Sequence, residues 1–394
     1  MSNKETKFRI KGSVLLIWIF SAIFLFAGNR IAVSGLDVLP PEDDFTVISG
    51  VVTEIIEREE FHHEMAEDYI ISSTFITFSA RITSGELRGQ VVIAEQHLDG
   101  FVMTMEREVA VGDRVLLFYD YFIGRHSFIN YVRINYIIIL GAVFLALMIL
   151  FGGKKGISSI VALGFTCMAI FWVLVPAILS GRNVYATAII VCVYIIVSTL
   201  LTVIGPNKKA VSAMLGCLGG VLLAGLLMFF MDIILNLTGV IDQDSQFLLA
   251  LPIEHTISLR AVIFAGVIIG AVGAIMDVAM SISSSLWEVS LAGDNLNFGR
   301  IFKSGLNIGK DILGTMLNTL ILAYIGSSLS LILLISFYTQ GASFIELFNR
   351  EMIAVEFLRA LIGSFGIFLA VPLTAGICGL LYTDKPGESY DNNW

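Results

Sequence analysis

Residues 134–151 read INYIIILGAVFLALMILF, eighteen positions without a charge. After the basic break GGKKG, residues 157–179 continue as ISSIVALGFTCMAIFWVLVPAIL, again uncharged. A helix needs about 20 apolar residues to cross the hydrocarbon layer of a bilayer. Two such runs on either side of a Gly-Lys turn predict a pair of membrane spans. Outward from this pair, comparable runs cover residues 12–31, 184–204, 211–237, 261–281, 312–337 and 353–381. The expected fold is therefore mainly α: a polytopic membrane protein with eight transmembrane helices.

Composition agrees. Of the 394 residues, 56% are hydrophobic and 14% charged, against roughly 25% charged in ordinary soluble domains. That excludes a soluble globular protein, a disordered chain and a disulfide-stapled secreted domain. The charges are unevenly spread. Residues 37–133 hold 18 acids and 7 arginines with no lysine, a net of −11. Residues 1–36 hold one acid and five bases, and residues 134–394 hold 14 acids and 12 bases. The whole chain is at −9, which gives no footing for nucleic-acid binding.

The first apolar run follows Lys4, Lys7, Arg9 and Lys11. It is long for a signal peptide core and lacks a small-x-small cleavage site before Arg30, so it reads as an uncleaved anchor. Basic residues collect on the cytoplasmic side of membrane proteins. With eight spans and both termini inside, Lys154, Lys155, Lys208, Lys209, Arg300, Lys303, Lys310 and Lys385 all fall there. Outside loops keep only Arg182, Arg260 and Arg350. The expected location is a bacterial plasma membrane, with both termini cytoplasmic.

Domain organisation follows: residues 1–36 as N-terminus and anchor, 37–133 as an extracytoplasmic β domain, 134–383 as a seven-helix membrane domain, and 384–394 as a cytoplasmic tail. The β domain shows apolar alternation at 45–57, 74–83, 90–95, 114–120 and 128–134, punctuated by the turns Ser84-Gly85, Arg88-Gly89 and Gly112-Asp113. Five short strands between helices 1 and 2 suit a small barrel, OB-like or SH3-like. The acidic stretch 57–68, with His62, His63 and Glu64, reads as a solvated loop between strands; its spacing matches no defined metal site. The four cysteines all lie in apolar runs and read as small packing residues. No resident metal and no cofactor is expected.

Ionisable groups inside spans are costly and therefore mark function by default. They concentrate in spans six and seven. In AGVIIGAVGAIMDVAMSISSSLWEV (residues 265–289), Asp277, Ser281, Ser284 or Ser285, and Glu288 recur at steps of three and four, one polar helix stripe. Gly266, Gly270 and Gly273 form a smooth face upstream, suited to close approach of another helix. In the next span Asp311, Thr315 and Asn318 repeat the spacing, with Tyr324 farther out and Gly305, Gly309 and Gly314 as small positions. Asp277 and Asp311 are expected on neighbouring antiparallel helices, in a shared polar core able to hold a proton or cation. Lys310 offers the competing account, a structural pair with Asp311. Asp232 and Asn236 near the end of span five suit either an interfacial position close to water or an outer vestibule. In span eight, Glu356 and Arg359 are spaced to pair across one helical turn, and Pro372 suggests a kinked or broken helix.

The stretches DVAMSISSSLWEV (277–289) and GKDILGTMLNTLILAYIG (309–326) resemble the signature regions of the YibE/F family of bacterial multi-pass membrane proteins. The likeness extends over nearly the whole chain, SGELRGQVV (84–92) included. It implies a membrane protein presumed to act in transport, with no established substrate and no settled catalytic residues. A weaker similarity, AG-x-x-I-x-x-x-G-x-x-x-D from Ala265 to Asp277 with a later D-I-x-x-T-x-x-N, is to the proton-relay helices of RND permeases. The span count differs, and the asparagine beside the aspartate is absent here.

Three functions compete. The first is a secondary transporter or proton- or cation-coupled permease of a small solute or ion. The second is a non-catalytic scaffold or export accessory that grips an extracytoplasmic protein through the β domain. The third is an intramembrane aspartyl protease, disfavoured by Gly309-Lys310-Asp311 and by the lack of a Pro-Ala-Leu stretch. No nucleophile triad or phosphate-binding loop is present, so no enzymatic activity is expected. Small-residue faces leave room for a homo-oligomer.

Overall fold

The structure is a computed structural model that describes residues 3–34, 46–66, 69–99, 107–121, 124–251, 253, 255–293, 297–338 and 344–383. It forms two compact units, residues 39–147 and residues 1–38 with 148–394.

The first unit holds β1 (Ile48–Ala66), β2 (Tyr69–Ile82), β3 (Val91–Leu98), β4 (Arg114–Asp120) and β5 (Arg125–Tyr131). They close into a barrel in the order β1-β2-β3-β5-β4. All contacts are antiparallel except β3 with β5. One parallel contact is what a Greek-key path gives and an up-and-down path does not. Period-two burial makes the core: Ile76, Phe78, Ala80 and Ile82 of β2 point inward with Val52, Ala94, Val115 and Leu117. Each large apolar side chain so buried stabilises the barrel by roughly 1.5–3 kcal/mol.

The expected loop at 57–68 is corrected. β1 runs on to Ala66, and its register with β2 continues from Glu57↔Thr77 to Ala66↔Tyr69. β3 reaches only to Thr74 of β2, so the end of this hairpin is a ribbon of two strands. Strand pairing satisfies the backbone there, and the side chains of Glu57, Arg58, Glu59, Glu60 and His62 are exposed.

The second unit is helical. Its elements are α1 (Asn3–Val33), α2 (Ile134–Met168, begun in the first unit), a π-helical turn (Ala169–Leu174), α3 (Val175–Leu179), α4 (Val184–Val203), α5 (Lys208–Ile234), α6 (Gln243–Leu249), α7 (Leu259–Ala292), α8 (Phe298–Ser327), α9 (Leu329–Tyr338), α10 (Phe344–Phe348) and α11 (Glu351–Leu381). Among the described residues, seven helical segments are long and apolar enough to cross a membrane. One of them, Ile134–Leu179, contains both runs of the opening sequence. Gly153 interrupts it at φ 52°, ψ −128°, outside the helical region. A straight helix would separate residues eight apart by ~12 Å. A β-carbon on Gly156 would instead lie 2.9 Å from the Met148 carbonyl carbon, so the chain turns sharply at Gly153.

α11 packs against α5, α7 and α8, and α7 also against α4 and α5. Glycines make several of the close contacts, where the missing side chain lets two helices approach. Gly216, Gly219 and Gly220 of α5 face Thr374, Leu373 and Ala370 of α11. Gly305 of α8 faces Ala375, and Gly309 faces Val371. α11 passes through Pro372 as one continuous helix, so of the kinked or broken helix expected there the break is excluded. A break occurs instead at Ser328, between α8 and α9.

Candidate functional site

The sixth apolar run is longer than its hydropathy suggested. α7 extends to Ala292, so Ser284, Ser285 and Glu288 are helical residues continuous with Asp277. One face is filled by Ile268, Ile275, Ile282 and Leu286, all fully buried. The other is open: Gly266, Gly270, Gly273, Asp277 and Glu288 are exposed, and Ser281, Ser284 and Ser285 are half-buried. The expected close helix approach at the glycines is corrected. Nothing lies within 4 Å of a β-carbon built on Gly266 or Gly273. At Gly270 the Tyr324 hydroxyl of α8 comes to 3.3 Å, and it lies 3.7 Å from the same point on Gly363 of α11.

α8 is strongly two-sided. Ile301, Gly305 and Gly309 are buried, whereas Asn307, Lys310, Asp311, Gly314, Thr315 and Asn318 are exposed. At 100° per residue, Asp311, Thr315 and Asn318 share one side, opposite the seam with α11. Thr315 donates its hydroxyl to the Ile312 carbonyl at 2.9 Å. α7 and α8 touch, yet Asp277 and Asp311 each open onto an uncovered face. Among the described residues, no hydrogen bond or ion pair joins Asp277 to Asp311, or Lys310 to Asp311.

Behind this face lies an ion pair within one helix. Arg359 Nη1 donates to Glu356 Oε1 at 2.7 Å, the i,i+3 pairing the spacing called for. The Ser328 hydroxyl, at the α8–α9 break, donates to Glu356 Oε2 at 2.8 Å. Tyr324 is within electrostatic reach of both partners.

One polar site escaped the sequence. Ser283 is fully buried, donates to the Lys209 carbonyl at 2.8 Å, and shares a hydrogen bond of 2.8 Å with the Tyr382 hydroxyl. Three serines in a row gave no sign of which one turns inward. Of the two readings of Asp232, an interfacial position close to water or an outer vestibule, the first is corrected: it is 4% exposed, and among the described residues one carboxylate oxygen has no partner. Asn236 sits at φ 50°, the left-handed turn that ends α5. That conformation gives it a capping role at the helix end.

On the barrel, Phe61 and Phe75 meet edge to face at 5.5 Å, and His97 stacks on Phe75 at 4.1 Å. His62 Nδ1 shares a hydrogen bond of 2.8 Å with the Ser72 hydroxyl. The side chains of His63 and Glu64 lie outside the described residues. Among the described residues no three His, Cys, Asp or Glu converge to hold a metal ion.

Long apolar helices with polar faces, joined to a small N-terminal barrel, define a membrane-type protein. The sequence model of the YibE/F-like protein family matches residues 140–384, and the chain belongs to this family. The matched region contains all of α4 to α11, and with them every residue of the polar faces. No curated protein and no solved structure matches the chain.

Proposed function

We propose that the protein is a proton- or cation-coupled permease for a small solute or ion in a bacterial plasma membrane, with both termini cytoplasmic. The observation that carries this is the open face of α7. Asp277 and Glu288 stand exposed on a helix of span length, among the described residues. A carboxylate at the centre of a lipid-facing span costs about 2.5–3.5 kcal/mol. A water-lined path along Gly266, Gly273, Asp277 and Ser281, continued by Asp311, Thr315 and Asn318, relieves that cost. Chemically, carboxylates beside hydroxyls can take and release protons or cations, and the open glycines leave room for a solute.

The test is flux in proteoliposomes under an imposed pH or Na⁺ gradient. Asp277→Asn and Asp311→Asn are expected to abolish gradient-driven uptake while the protein still folds and inserts. Normal uptake by both variants would sink the proposal.

A second reading is favoured by the exposed Phe61, Phe75 and His97 on the barrel: an export accessory that grips an extracytoplasmic protein. Here Phe61→Ala with Phe75→Ala should abolish function, whereas a permease retains flux with that surface removed.

A further inference from the structure

Among the described residues, Asp232 is the one carboxylate less than a tenth exposed. It stands in the last turn of α5, against Tyr185 in the first turn of α4. The Tyr185 hydroxyl is 3.4 Å from Asp232 Oδ2, a long donor bond. Oδ1 has no partner. The tyrosine ring is held by Phe264 of α7 at 4.9 Å and Phe229 of α5 at 6.2 Å, and Met228, one turn before Asp232, is fully buried.

The charged groups nearby are otherwise engaged or too far to pair. Arg260, in the first turn of α7, acts electrostatically on Tyr185 but makes no ion pair with Asp232. Glu351, opening α11, accepts from the Thr238 and Gly239 amides at 2.7 and 2.6 Å and from the Thr238 hydroxyl at 2.7 Å. The Asp232 carbonyl accepts the capping bond from the Leu237 amide at 3.3 Å, so the main chain here is satisfied and the side chain is not. A buried carboxylate left half bonded is unfavourable unless something compensates its charge. The negative end of the α5 dipole makes that something a cation.

We propose that Asp232 and Tyr185 form a binding site for an alkali cation at the C-terminal end of α5. The Asp232 carboxylate supplies the charge, with Oδ1 open to the ion, and the Tyr185 hydroxyl oxygen, 3.4 Å from Oδ2, is the second oxygen. The site is distinct from the α7 stripe. Its binding of an ion stands on its own geometry; its role as the coupling ion's seat rests on the permease reading.

The experiment uses the purified full-length protein in detergent. Thermal unfolding is followed against Na⁺ and against K⁺, each replaced by choline at constant pH. Asp232→Asn keeps the shape and removes the charge; Tyr185→Phe keeps the charge and removes the second oxygen. A midpoint raised by Na⁺ or K⁺ in the wild type, absent in Asp232→Asn and weakened several-fold in Tyr185→Phe, is expected. An Asp232→Asn variant that keeps the wild-type response, or a wild type that responds to neither ion, overturns the proposal. Because the measurement needs no flux, an Asp232-dependent response beside normal uptake by both Asp277→Asn and Asp311→Asn removes the permease reading and leaves the site standing.

Discussion

The Tyr324 hydroxyl oxygen of α8 stands 3.3 Å from the point a β-carbon on Gly270 of α7 would occupy. Among the described residues it is the one place where α8 reaches over the open α7 stripe at a glycine. Gly270→Val fills that space and pushes the tyrosine away from Gly363 as well. It should destabilise by about 1–3 kcal/mol, the cost of overpacking, and reduce flux together with stability. Gly273→Ala meets nothing within 4 Å, so the helix gains up to ~1 kcal/mol from losing a glycine. Paired thermal unfolding of the two variants checks this. Equal behaviour would mean that Tyr324 does not sit where it is described.

The seam between α8 and α11 supports a second contrast. A β-carbon on Gly305 would lie 2.6 Å from Ala375 Cβ and 2.9 Å from Leu286 Cδ1. Both neighbours are in packed helices and have little room to give. Gly305→Ala is expected to destabilise by about 1–3 kcal/mol. Gly314→Ala, on the exposed side of the same helix with nothing within 4 Å, should be neutral or stabilising. Unfolding midpoints in one detergent decide the matter.

These contrasts mark where the sequence could and could not be read. Run length placed the apolar helices, because span length is a property of one segment. Period-two alternation placed the barrel for the same reason. The steps of three and four correctly put Asp277 and Glu288 on one side, and likewise Asp311, Thr315 and Asn318. What periodicity cannot say is what that side meets. Gly305 and Gly266 look alike in sequence, but α11 covers the first and nothing covers the second. Asp232 looked interfacial because it lies near the end of its run. Its burial comes from Tyr185, Phe264 and the start of α7, all distant in the chain. The α8–α9 break at Ser328 falls inside a continuous apolar run. Its hydroxyl bond to Glu356 spans 28 residues, beyond any local pattern.

Arg359 and Glu356 yield a prediction by subtraction. Their side chains are 31% and 23% exposed, and the pair lies within an apolar helix. Glu356→Gln strands the guanidinium charge and also weakens the acceptor for Ser328. It should destabilise by ~2 kcal/mol, somewhat below the loss from breaking a fully buried pair. Adding Arg359→Gln removes the stranded charge, so the double variant should recover most of that loss. A double-mutant cycle on unfolding midpoints measures it. A double variant less stable than Glu356→Gln alone contradicts the pairing.

The barrel should lose stability on acidification in two steps with different owners. Burial holds the His126 imidazole below its usual value of 6.5, with its ring edge-on to Tyr119 at 5.2 Å. The unfolded chain therefore takes up that proton first, and stability falls as pH drops below about 6.5. Glu108 titrates later. Arg58 grips its carboxylate through Nε at 3.3 and 3.1 Å and through Nη2 at 2.9 Å, which holds the carboxyl below its usual value of 4.5. That contribution is complete above the unfolded value and is lost as pH falls through the lower folded one. Both partners are nearly half exposed, so water screens the pair and the second step is the smaller. Urea midpoints of the barrel in the full chain, read by pulse proteolysis across pH 3 to 8, separate the two. His126→Gln should flatten the upper slope and leave the lower, and Glu108→Gln should do the reverse. Slopes that stay unchanged in both variants would assign the acid sensitivity to other groups, because these two side chains act through different partners.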